Sequence, residues 1–111
     1  MIELTIIESA VLDLFPSGTQ RKIAIKEVSR LVDLDERSIY EVINSLRKKG
    51  IPICAQRSGD LTHRGYYIAT SDEERKEGLS AYKSQVADMQ SLIDHIEGAD
   101  VAGWMNKVKA V

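Results

Sequence analysis

The stretch DLDERSIYEVINSLRKKGIPICAQRSGDLTHRGYYIAT, Asp33 to Thr70, decides the fold. Asp35 is a good N-cap, because its carboxylate can accept from the free N–H groups of a starting helix. Ile39, Val42, Ile43 and Leu46 then recur at helical spacing, and Gly50 is the expected stop. A helix is expected from just after Asp35 to about Lys49. Ile51 to Ala55 reads as a strand, and Gly65 to Ala69, rich in aromatic and β-branched residues, as its partner. The polar run QRSGDLTHR between them reads as the long tip of a hairpin.

Upstream, Ile2, Ile6, Ile7, Ala10, Val11 and Leu14 predict the inward face of a first helix over Ile2 to Phe15, closed by Pro16-Ser17-Gly18. RKIAI (Arg21 to Ile25) reads either as a brief strand or as an extended entry to the next helix. That second helix is expected over Lys26 to Leu31, with Ile25, Val28 and Leu31 inward. Downstream, Ser71 and Glu74 have capping-box spacing, which predicts a long helix from Asp72 to Glu97. Leu79, Tyr82, Val86, Met89, Ile93 and Ile96 alternate by three and four and form a heptad seam. The seam either packs back on the first part of the chain or joins a second copy, and a homodimer is the expected partner arrangement. Asp100 to Val108, which holds Trp104, reads as a short final helix.

The fold class that follows is mainly α with a small β-hairpin. A winged helix-turn-helix domain is expected over 1–70, followed by a helical dimerisation segment over 71–111. Helix, helix, turn, helix, hairpin is the order of that domain. IKEVSRLVDLDERSIYEVINSLRKKGIPI followed by GYYIA resembles the N-terminal DNA-binding domain of biotin protein ligase repressors. The likeness rests on Leu46-Arg47-Lys48-Lys49-Gly50, Ile51-Pro52-Ile53 and Gly65-Tyr66, and covers about Ile6 to Thr70. The whole chain is similar to small winged-helix proteins of bacteriophage and prophage genomes. What the resemblance implies is a DNA-binding regulator of phage or prophage type, without ligase activity.

Such a domain puts its second helix in the major groove. The expected DNA-binding residues are Arg37, Ser38, Tyr40, Glu41 and Asn44 for base edges or phosphate, with Arg47, Lys48 and Lys49 suited to phosphate. Arg57, His63 and Arg64 are added from the wing. Ten of the 15 basic residues lie in this domain: Arg21, Lys22, Lys26, Arg30, Arg37, Arg47, Lys48, Lys49, Arg57 and Arg64. Acids oppose the reading, since the net charge is −2 and the third helix opens with Asp33, Asp35 and Glu36. Asp33 and Glu36 would complement a helix N-terminus, and Glu36 or Glu41 can accept from cytosine. A protein-docking adaptor in replication or recombination is the alternative.

The 111 residues are 43% hydrophobic and 29% charged, a folded rather than a disordered composition. The one cysteine, Cys54, is expected to be a buried thiol. No apolar run approaches a membrane span and no secretory pattern opens the chain, so a cytoplasmic location is expected. His63 and His95 lack the neighbours of a zinc site, and no catalytic constellation is evident. No enzyme activity, metal or cofactor is expected.

Overall fold

The computed structural model describes residues 2–56 and 64–109. Among them the chain is mainly helical, with a two-stranded antiparallel hairpin and a long C-terminal helix. The elements are α1 (Ile6–Leu12), α2 (Ile25–Val32), α3 (Glu36–Lys48), β1 (Ile53–Gln56), β2 (Gly65–Ile68), α4 (Asp72–Glu97) and a final 3₁₀ turn, Trp104–Lys107. Two compact units result, residues 1–79 and residues 80–111. No helix among the described residues is long and apolar enough to cross a membrane.

The first unit is built around Val11, Phe15, Ile25, Val28, Ile39, Ile43, Leu46, Ile53, Ala55 and Tyr66. These side chains bring α1, α2 and α3 against the inner face of the hairpin, where Phe15 and Tyr66 meet with ring centroids 6.1 Å apart. The strand register pairs Ile53 with Ile68 and Gln56 with Gly65. Ile23 adds a single antiparallel bridge to Tyr66, through N–H···O bonds of 3.0 and 2.8 Å, so RKIAI is an extended entry with one bridged residue. Farther along the same edge, Ile68 N–H donates to Pro16 O and Gly18 N–H to Ile68 O, each at 2.8 Å.

The face expected for α1 is corrected. Val11 is buried and Leu14 half-buried, but Ile2, Ile6, Ile7 and Ala10 are exposed, Ile6 at 90%. Glu8 takes the inward position instead, at 4% exposure. The cause is a capping box at Thr5. Glu8 N–H donates to Thr5 Oγ1 (3.1 Å) and Thr5 N–H to Glu8 Oε1 (2.8 Å), which starts the helix at Ile6 and aims Glu8 at α3. There Glu8 accepts from the Ser45 hydroxyl and from Lys49 Nζ, each at 2.5 Å. Leu31 is also exposed, because the buried side of α2 runs through Ile25, Val28 and the half-buried Val32, at spacings of three and four.

The Lys49 ammonium, then the Ser45 hydroxyl and the Thr5 N–H, hold the Glu8 carboxyl down at about 2 from an ordinary 4.5. A depressed carboxyl contributes stability that is full above its unfolded value and is lost as pH falls toward the folded one. Glu8→Gln should therefore lower the melting temperature by several degrees at pH 7. The gap to the parent should narrow steadily between pH 4.5 and pH 2, as read by thermal melts across that range.

Asp33 is corrected too. It caps the C-terminus of α2, not the N-terminus of α3, at φ 54° and ψ 48°. Its N–H and that of Leu34 both reach Ser29 O, and the Ser29 hydroxyl closes the turn on Leu34 O. A left-handed aspartate carries both steric cost and an acid at the wrong end of a helix dipole. Asp33→Gly should raise stability by about 0.5–1 kcal/mol in denaturant titration.

Candidate nucleic-acid interface

Helix α3 is set by its two ends. Asp35 Oδ1 accepts from Ser38 N–H at 2.8 Å, and the Ser38 hydrogen bonds hold the Asp35 carboxyl below its usual range. Gly50 closes the other end at φ +96°. With Ile39, Ile43 and Leu46 buried, the outer side of the helix is determined. Arg37, Tyr40, Asn44 and Lys48, at steps of three, four and four, form one exposed row. These four side chains make no hydrogen bond or ion pair among the described residues. Glu41 lies beside the row and Glu36 at its start, both exposed.

The remaining expected residues divide in two. Tyr40 and Arg64 line one open cleft of about 520 Å³, together with Ala24, Ile25, Gln56 and Tyr66. This cleft joins the outer row of α3 to the base of the hairpin. Ser38 and Glu41 line a different cleft of about 360 Å³ with Thr5, Ile7 and Ser45, on the α1 side. Ser38 is half-buried there and lies off the row. Arg57 and His63 lie outside the described residues.

Two basic residues expected to meet phosphate are occupied within the chain. Arg47 Nε donates to Ile53 O at 3.0 Å, fastening α3 to β1. Lys49 Nζ bridges Glu8 and the carbonyl of Glu3. Lys22 is engaged as well, donating to Thr19 O at 3.0 Å and lying 5.7 Å from the centre of the Tyr67 ring. Arg21, Lys26, Arg37 and Lys48 stay without an ion pair among the described residues.

Sequence reasoning missed the support behind this face. Glu74 accepts from Thr70 N–H (2.7 Å), the Thr70 hydroxyl (2.7 Å) and Thr19 N–H (3.0 Å), tying the start of α4 to the turn after Phe15. Four residues on, Gly78 is buried against Cys54 and Tyr67. Burial raises the thiol of Cys54 and pushes the Tyr67 phenol up to about 12, so both stay neutral at physiological pH. The capping spacing of Ser71 and Glu74 signalled a helix start, but not a carboxylate reaching back 55 residues. Among the described residues no group of three His, Cys, Asp or Glu could hold a metal ion. Comparison with protein-family models, with curated proteins and with solved structures finds no match for this chain.

Proposed function

We propose that the chain is a dimeric, sequence-specific double-stranded DNA-binding regulator with the architecture of a winged helix-turn-helix. The observation that carries this is the exposed row of Arg37, Tyr40, Asn44 and Lys48, whose side chains make no hydrogen bond or ion pair among the described residues. A row of unengaged hydrogen-bonding groups on a well-anchored helix suits base-edge reading, and its length suits a major groove. Arg37 reads guanine, Asn44 reads adenine and Lys48 meets phosphate. Arg64, which shares a cleft with Tyr40, meets the DNA backbone, and Arg57 and His63, outside the described residues, are assigned the same kind of contact. Asp35 then has a local structural duty as the N-cap of α3, which accounts for that acid next to a DNA-facing helix, while the Asp33 carboxylate caps nothing among the described residues and sits at the turn before it.

The test is recovery and sequencing of bound members of a random duplex pool at two salt concentrations. Enrichment of paired half-sites is expected. Arg37→Ala should cost about 1–3 kcal/mol on the recovered site and relax one base position, while Lys48→Ala should weaken all sequences alike and flatten the salt dependence by about one ion. Equal losses for both variants on cognate and random DNA would remove the groove assignment. A protein-docking adaptor is the second reading, favoured by the exposed Ile2, Ile6 and Ile7 on and before α1. It predicts no DNA retention even at low salt.

A further inference from the structure

From Leu79 to Ile96 every residue of α4 except Tyr82 is exposed, Val86 at 67% and Ile96 at 66% among them. An apolar seam this open is a surface for a partner. The charge and the size of its residues select which partner and which direction. Residues 75–83 contain Arg75, Lys76 and Lys83 against one acid, Glu77. From residue 84 to 106 there is no Lys or Arg, while Asp88, Asp94, Glu97 and Asp100 are present. Arg75 is paired with Asp72, but Lys76 and Lys83 make no ion pair among the described residues. Past its acidic first turn of Asp72, Glu73 and Glu74, the helix therefore runs from a basic stretch at 75–83 to an acidic one, and along the seam these two stretches complement each other only when the helices are reversed.

We infer that the seam of α4 pairs with that of a second copy as an antiparallel coiled coil; the inference rests on the dimer reading above and adds its direction and register. Antiparallel pairing puts Leu79 against the partner's Ile96, Tyr82 against the partner's Ile93, and Val86 against the partner's Met89. All six seam positions are used. Each layer then joins a bulky or long side chain to a smaller or branched one, which fills the space evenly. Parallel pairing would instead stack Tyr82 on the partner's Tyr82 beside a narrow layer of two Val86. The flanking positions agree. In the reversed arrangement Lys76 faces the partner's Glu97, twice by symmetry, and Lys83 faces the partner's Gln90. In the parallel one the flanking pairs are Gly78 with Lys83, Gln85 with Gln90 and Leu92 with Glu97, none of opposite charge.

The test uses the full chain and two cysteine pairs at exposed flanking positions. The K83C/Q90C variant should be converted to a covalent dimer by copper–phenanthroline. Q85C/Q90C, the pair that parallel strands would juxtapose, should stay uncrosslinked, as should K83C alone. Sedimentation of the parent chain should give a dimer at micromolar concentration. A dimer that crosslinks through Q85C/Q90C, or through neither pair, overturns the direction and register while leaving the dimer standing. A monomer at hundreds of micromolar overturns both.

Discussion

Gly78→Ala is expected to destabilise the first unit by about 2–3 kcal/mol, although the same change on an open helix surface stabilises. An added methyl at Gly78 would stand 2.5 Å from both Cβ and Sγ of Cys54, and 3.1 Å from the Tyr67 hydroxyl. Helix propensity favours alanine over glycine by about 1 kcal/mol. The overlap outweighs it, because Cys54 Cβ is fixed to the strand backbone and has no rotamer to retreat into. The helix must lift from the hairpin or the strand must yield. Either movement opens the environment of Cys54, the chain's one thiol. The variant should therefore melt earlier and react faster with a thiol reagent under native conditions. A melting temperature above the parent's, with the thiol still protected, would mean that α4 does not press on the strand there.

Gly65→Ala should cost about 3 kcal/mol or more, the largest loss of any single methyl addition described. Gly65 opens β2 at φ +133°, a backbone setting that side chains rarely adopt. Its missing Cβ also faces the Ile23 backbone, with O at 2.8 Å, C at 3.0 Å and N at 3.1 Å. Backbone cannot rotate aside. Ile23 must move, breaking its paired hydrogen bonds with Tyr66. In a domain whose whole stability is of the order of 5–15 kcal/mol, that loss is visible as an early denaturant midpoint. Gly50→Ala is the matched control. It carries positive φ too, but nothing lies within 4 Å of the added Cβ, so it should cost clearly less. Equal midpoints for the two variants would reduce the Gly65 effect to backbone strain alone.

What could be read from sequence follows the range of the forces involved. The bounds of α4 agree with expectation, and those of α3 come within a residue, because the caps Asp35, Gly50 and Ser71 act within one turn. The interior of α3 was legible for the same reason, as Ile39, Ile43 and Leu46 repeat on one face. The first helix was misread because four apolar residues outweighed one acid. Glu8 is buried only because Ser45 and Lys49 arrive from 37 and 41 residues away. For Arg47 and Lys49 the same holds: their charges were visible in the sequence, and their bonds to Ile53 O and Glu8 were not. The row of α3 was within reach of sequence, while its separation from Ser38 required knowing where α1 lies.

The segment from Pro16 to Ile23 has a consequence for colloidal behaviour. Two-stranded sheets present raw borders that recruit other chains, and an isolated hairpin seldom persists in water. Here the N–H and C=O groups of Tyr66 and Ile68 that point away from β1 are all taken by Ile23, Pro16 and Gly18. On the opposite border the Arg47 guanidinium occupies the carbonyl of Ile53. Over its described residues the hairpin thus carries its own selvage, complete along β2 where the loop runs and begun on β1 by one arginine, and an intruding strand finds the β2 border already taken. Arg47, by holding the Ile53 carbonyl, leaves one acceptor fewer on that border for a neighbouring chain to pair with.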